Sequence, residues 1–157
     1  MSDPRQRAFE RALKSISVRE RTESEVRDFL TRRGYERDVI GDVVRSLREE
    51  GLVDDAGYAR RFAEDRRLID QWGSDRIARD LARRGVGLEL IEGALARIDT
   101  DDEMATAIQL LDRRFPMPFE GDRERDKAWR MLVRRGYQPE VAYSAVRRHE
   151  QGLRDAA

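Results

Sequence analysis

Apolar residues in this 157-residue chain fall at helical spacing, and the same spacing is written three times. Leu30, Leu81 and Leu132 each stand four residues before a glycine (Gly34, Gly85, Gly136), and Val26, Ile77 and Ala128 stand eight before it. Beyond the glycine come Ile40, Ile91 and Ala142, followed one turn later by Val44, Leu95 and Val146. Steps of four keep side chains on one helix face, so each copy predicts a helix, a tight turn and a second helix. Alternating apolar and polar runs are nearly absent, which leaves strands without support. Self-similarity at a fixed interval, here 51 residues between successive glycines, predicts a tandem array.

The turn chemistry agrees with the periodicity. Arg32-Arg33-Gly34, Arg83-Arg84-Gly85 and Arg134-Arg135-Gly136 place a glycine where a helix end needs a left-handed residue. The residue after each glycine is apolar or aromatic, predicting contacts of Tyr35 on Leu30, Val86 on Leu81 and Tyr137 on Leu132. Arginines before the glycine complement the negative end of the helix dipole. Helix starts are predicted at Thr22-Glu23-Ser24-Glu25 as a capping box, at Ser74-Asp75, at Asp122, and at Pro139 in a first helical position.

A further helix precedes each of these pairs, marked by Ala8-Phe9 with Ala12-Leu13, Tyr58-Ala59 with Phe62-Ala63, and Met104-Ala105 with Ile108. The third copy carries extra residues around Phe115-Pro116-Met117-Pro118-Phe119. The reading is an all-α protein of three tandem three-helix repeats, 1–51, 52–98 and 99–150, with a C-terminal tail at 151–157. Such arrays are expected to be elongated and able to curve.

Composition narrows the function. The chain is 39% hydrophobic and 41% charged, a balance that suits thin helical modules with much exposed surface. Its 32 basic and 32 acidic residues cancel, so no global field draws it to nucleic acid or membrane. All basic residues but Lys14 and Lys127 are arginine, which fits bidentate recognition of carboxylates or phosphates but fits a GC-rich genome at least as well. Cysteine is absent, which removes disulfides and thiol chemistry. No run is apolar enough to span a bilayer, and Met1-Ser2-Asp3-Pro4-Arg5 leads into no apolar stretch; a cytoplasmic monomer is expected.

No catalytic constellation is legible. His149 is the sole histidine, has no nucleophile in reach by sequence, and reads as an exposed helical residue. Asp99-Thr100-Asp101-Asp102 begins like a calcium loop, but Met104 and Leu110 occupy the positions that need glycine and glutamate. Asp54-Asp55 and Asp101-Asp102 are better read as helix caps. No metal, no cofactor and no enzymatic activity are expected. A helix-turn-helix DNA reader is a weak match, because Leu30, Leu81 and Leu132 are bulky where close helix crossing wants a small residue.

The second copy is the most specific. Gly51-Leu52-Val53-Asp54-Asp55-Ala56-Gly57-Tyr58-Ala59-Arg60-Arg61-Phe62, then Trp72-Gly73-Ser74-Asp75-Arg76-Ile77-Ala78-Arg79-Asp80-Leu81-Ala82-Arg83-Arg84-Gly85-Val86, strongly resembles the RecX regulatory family. Arg21-Thr22-Glu23-Ser24-Glu25-Val26 and Leu90-Ile91-Glu92-Gly93-Ala94-Leu95 fit the same family. The resemblance covers most of 8–148 and fades in the third copy. It implies a non-enzymatic modulator that binds RecA and the RecA–DNA filament, lying along its groove, and restrains ATP hydrolysis, strand exchange and co-protease activity. Candidate partner contacts are Arg60, Arg61, Arg66, Arg67, Arg76, Arg79, Arg83 and Arg84, each weighed against a solvated face with local pairs such as Asp75–Arg79 and Asp80–Arg84. Trp72 is read as a buried anchor, and Tyr35, Tyr58, Phe62 and Tyr137 as core. Gly34, Gly85, Gly136, Asp54, Asp55, Trp72 and Gly73 form the structural signature. The alternative is a protein that binds DNA directly, its basic helix ends tracking phosphates.

Overall fold

A computed structural model describes residues 3–98 and 100–157. Asp99, where the rejected calcium loop begins and the third copy is bounded, lies outside the described residues, as do Met1 and Ser2. Among the described residues the chain forms nine helices and no strand. They are α1 (Pro4–Val18), α2 (Glu23–Arg32), α3 (Arg37–Glu49), α4 (Asp55–Asp70), α5 (Ser74–Arg83), α6 (Leu88–Ala96), α7 (Thr100–Arg114), α8 (Asp122–Arg134) and α9 (Pro139–Ala156). Residues 151–156, expected as a tail, continue α9.

The predicted helix ends are present in all three copies. Gly34, Gly85 and Gly136 have φ of 85°, 85° and 100°. Each glycine N–H donates to the carbonyl three residues back, and the next residue's N–H donates five back: Tyr35 to Leu30 (3.3 Å), Val86 to Leu81 (3.1 Å) and Tyr137 to Leu132 (3.1 Å). These are the paired bonds of a Schellman end, which use carbonyls the helix leaves unmet. Gly51 closes α3 in the same way, with Leu52 N–H donating to Leu47 O at 2.8 Å.

Contacts group the chain into two compact units, residues 1–61 with 81–91, and residues 62–80 with 92–157. In the first, Ala8 and Ala12 of α1, Val26 and Leu30 of α2, and Ile40, Val43, Val44 and Leu47 of α3 form one core with Val53. The small alanines let the helices approach, and a fully buried leucine contributes roughly 1.5–3 kcal/mol. In the second, Ala107, Leu110 and Leu111 of α7 pack with Ala128, Met131 and Leu132 of α8 and Ala142, Ala145 and Val146 of α9.

The buried face of α7 differs from expectation. Ala105 is exposed, while Ala107 and Leu111 are fully buried and Met104 and Ile108 pack at the edge. The buried positions Ala107, Leu110 and Leu111 define the core face of α7, and from the extra residues Phe119 itself enters the core. Among the described residues no helix is long and apolar enough to cross a membrane.

Candidate functional site

The Gly turn of each later copy sits on the start of the preceding copy's middle helix. In the first unit Thr22 builds the predicted capping box on α2: its Oγ1 accepts from Glu25 N–H (3.1 Å), and Glu25 Oε1 accepts from Thr22 N–H (3.2 Å). The same hydroxyl donates to the carbonyl of Arg84 at 2.7 Å. Glu23 N–H donates to Asp55 Oδ1 at 2.9 Å, and Arg48 pairs with the Glu23 carboxylate. Arg84 Nη1 donates to the Tyr58 hydroxyl at 3.0 Å.

The second unit repeats the backbone part of this arrangement, with Gly73, Ser74 and Arg135 standing 51 residues after Thr22, Glu23 and Arg84. Gly73 N–H donates to Arg135 O (2.8 Å) and Asp75 N–H to Gly136 O (2.9 Å). Ser74 N–H and Oγ both donate to Glu103 Oε1, at 2.9 and 3.0 Å. Arg135 Nη1 donates to Asp70 O (2.7 Å) and the Tyr137 hydroxyl to Gln71 O (2.9 Å). The N–H groups that open a helix are thus met by carbonyls and a carboxylate from the following copy.

Close approach explains the glycines. A Cβ on Gly85 would lie 2.2 Å from Ser24 Cβ, and one on Gly136 would lie 2.3 Å from Arg76 Cβ and 2.5 Å from its backbone N. A Cβ on Gly73 would lie 2.4 Å from the Gly136 carbonyl carbon.

Four capping expectations need correction, the first being that Asp101 and Asp102 lie inside the first turn of α7 and do not precede it. Asp54 caps its own helix, accepting from Gly57 N–H at 3.1 Å, but Asp55 reaches the start of α2 instead. Burial raises the Asp55 carboxyl above its usual range, against the pull of the Glu23 N–H. Ser74 is the first residue of α5 and acts as a donor, not as an accepting cap. Asp122 is likewise inside α8, whose N-cap is Gly121 without a side-chain bond; its carboxylate pairs with Arg125 at 2.7 Å. For Asp122 the reason is length. α2 begins at Glu23 and α5 at Ser74, eleven residues before Gly34 and Gly85, whereas α8 begins at Asp122, fourteen before Gly136.

The candidate arginines stand in different surroundings. Arg61 is exposed but paired with Glu20. Arg66 pairs with Asp70 at 2.5 Å and lies 5.8 Å from the Phe62 ring and 5.9 Å from Trp72. Arg67 is half-buried, and its Nη2 has no hydrogen-bond partner among the described residues. Arg76 stacks on Trp72 at 4.0 Å, and Arg84 joins the junction described above. Arg60 is half-buried; Arg79 and Arg83 are exposed on α5, with Arg79 Nε donating to the Asp75 carbonyl at 3.4 Å rather than to its carboxylate. Trp72 is a half-buried anchor, edge-on to Phe62 at 6.2 Å. Tyr58 and Tyr137 are buried, while Tyr35 and Phe62 are half-buried. Burial raises the Tyr137 phenol above its usual value, with Glu103 acting in the same direction.

His149 is not exposed. Its ring is buried, with Nδ1 2.7 Å from Asp112 Oδ1, Nε2 2.9 Å from Phe115 O and the Phe119 ring 5.6 Å away. The insertion folds back over α9 and covers it. Among the described residues no group of three or more acidic, His or Cys side chains is arranged to hold a metal.

Residues that reading along the chain missed are Glu103, Glu20, Glu150 and the acceptor role of the turn carbonyls. Glu103 stood in plain view in the run Asp101-Asp102-Glu103, one copy after Asp55. Glu150 holds Arg125 at 2.7 Å.

Comparison with known proteins places this arrangement. The chain matches the first three-helix domain of RecX over residues 8–47, the second over 54–95 and the third over 101–146. It is 38% identical over 153 residues to the regulatory protein RecX of Mycolicibacterium smegmatis, covering 92% of this chain and 81% of that protein. The corresponding protein of Mycolicibacterium vanbaalenii is 37% identical over 142 residues, with 85% and 77% covered. That of Deinococcus radiodurans is 35% identical over 136 residues, with 87% and 65% covered. The crystal structure of RecX from Lactobacillus salivarius has the same fold, with a TM-score of 0.86 over 96% of this chain and 99% of that one, at 19% identity. With all three of its three-helix domains matched, the chain belongs to the RecX family of regulatory proteins.

Proposed function

We propose that the chain is a modulator of the RecA recombinase, binding RecA and its DNA filament and lowering ATP hydrolysis, strand exchange and co-protease activity without chemistry of its own. Membership of the RecX family through all three three-helix domains carries this reading. The residues are consistent with it: the polar groups described above close helix ends and join copies, and none forms a nucleophile with a base. Of the candidate contacts, Arg79 on the exposed face of α5 is the strongest, since Arg61, Arg66, Arg76 and Arg84 are engaged within the molecule.

Direct DNA binding has one observation in its favour. A hollow of about 970 Å³ along α8 is lined by Arg123, Lys127, Arg130 and Arg134. Glu120, Glu124 and Asp126 share that hollow, and Asp126 pairs with Arg130 at 2.7 Å, which weakens its pull on phosphate. Binding to immobilised RecA filament on single-stranded DNA, compared with the same DNA bare, separates the readings. Retention on the filament alone supports modulation. Retention on both, with affinity falling steeply between about 50 and 200 mM salt, supports the DNA reading, because phosphate contacts release counterions.

A further inference from the structure

Two of the three turns have the same four residues, Arg32-Arg33-Gly34-Tyr35 and Arg134-Arg135-Gly136-Tyr137. The later one grips a helix corner. Its Arg135 guanidinium and Tyr137 hydroxyl donate to the carbonyls of Asp70 and Gln71, where α4 ends. Its Arg135 and Gly136 carbonyls accept from Gly73 and Asp75, where α5 begins. Gly136 has no room for a Cβ, and Tyr137 is 1% exposed.

The first turn has the same backbone and the same donors and acceptors, but it faces outward. Gly34 has φ 85° and the same Schellman bonds. Arg33 and Gly34 are exposed and Tyr35 is half-buried, whereas Arg135 is half-buried and Gly136 and Tyr137 are buried. Among the described residues nothing lies within 4 Å of a Cβ built on Gly34. Arg33 rests over the Phe29 ring at 4.0 Å.

We propose that the Arg33–Gly34–Tyr35 turn is a docking site for a helix corner of a protein partner. That corner comprises the last carbonyls of one helix, a short link with a small cap residue, and the first N–H groups of the next helix. Arg33 and Tyr35 donate to the carbonyls, while the Arg33 and Gly34 carbonyls accept from the N–H groups.

The chemistry selects protein over nucleic acid. The turn ends α2, so its outward carbonyls and the negative end of the helix dipole oppose a phosphate. A second copy of the chain is also unsuitable. Its α1–α2 and α4–α5 corners are already occupied by Arg84 and Asp55 and by Arg135 and Gly136. At the α7–α8 corner the equivalent positions Glu124 and Arg125 lie inside α8, with Arg125 N–H donating to Gly121 O at 3.2 Å. The partner is therefore a different protein; naming it as RecA rests on the function proposed above.

The test is binding of the full chain to RecA filament on single-stranded DNA, and to the bare DNA, for the parent and for Gly34→Asn, Arg33→Ala and Tyr35→Phe. Asn tolerates positive φ, and its side chain fills the space a docked helix start needs. The expected result is filament binding at least tenfold weaker for Gly34→Asn and several-fold weaker for the other two, with bare-DNA binding unchanged. Parental filament affinity in all three variants overturns the docking site while leaving the recombinase reading intact. Equal losses on bare DNA overturn it in favour of a nucleic-acid contact. A parent that does not bind the filament overturns the recombinase reading and this partner with it. Should Gly34→Asn fail to fold, Arg33→Ala and Tyr35→Phe decide, since neither changes the turn's backbone.

Discussion

The hydroxyl of Thr22 accepts the N–H of Glu25 and donates to the carbonyl of Arg84, 62 residues further along the chain. One side chain therefore caps a helix of the first copy and binds the turn of the second. At the equivalent place in the next junction Gly73 has no side chain, and its own N–H meets the Arg135 carbonyl at 2.8 Å. The contact is kept while the donor changes from hydroxyl to backbone.

Thr22→Val keeps the shape, removes the cap and leaves two half-buried partners unmet. The expected cost is about 2 kcal/mol in urea unfolding, with Thr22→Ser below about 1 kcal/mol. A larger loss for Ser than for Val would assign the role to the methyl group instead.

Alanine at the three turn glycines should rank by surroundings and not by φ, which is similar in all. Gly34→Ala meets open space and loses roughly 1–2 kcal/mol for the left-handed backbone alone. Gly85→Ala must also displace Ser24, and Gly136→Ala must displace the Arg76 backbone, so both should melt lower than Gly34→Ala, with Gly136→Ala lowest. Three equal melting temperatures would contradict the junction geometry.

Tyr137 links stability to alkaline pH. Its folded phenol titrates above the ordinary tyrosine value of 10.0, so the neutral form is favoured in the folded state. Stability from this group is complete below pH 10 and is lost as pH rises further, because the unfolded chain ionises first. Tyr58 is raised in the same direction by burial. Tyr137→Phe should therefore reduce the loss of stability above pH 10 without abolishing it, and should cost about 1 kcal/mol at neutral pH through the bond to Gln71. An unchanged alkaline slope would refute the assignment.

His149 anchors the insertion of the third copy. His149→Ala should cost about 3 kcal/mol, since it opens a cavity and frees the Phe115 carbonyl. Asp112→Asn should cost far less, because the Asp112 side chain is 59% exposed. Calorimetry of the two variants checks the order.

What could be read along the chain was local. The Arg-Arg-Gly ends, the Thr22–Glu25 box and Pro139 at the start of α9 involve partners within five residues, and all are present. The RecX resemblance, read over most of 8–148 and most specific in the second copy, holds for all three copies. What escaped was contact between copies. A turn carbonyl such as Arg84 O has no sequence signature as an acceptor, and Asp55 looks like an ordinary cap until α2 is seen beside it. The exposed reading of His149 failed because the Phe115–Phe119 insertion covers its ring. The identity of the turns at 32–35 and 134–137 was visible, but its meaning required seeing that only the second is occupied.

The most direct measurement is ATP hydrolysis by the cognate RecA on saturating single-stranded DNA, with the chain titrated from substoichiometric amounts. A dose-dependent fall in hydrolysis that persists when more DNA is added is the predicted result, and it places the action on the filament. Undiminished hydrolysis at stoichiometric chain, or inhibition reversed by added DNA, would contradict the account.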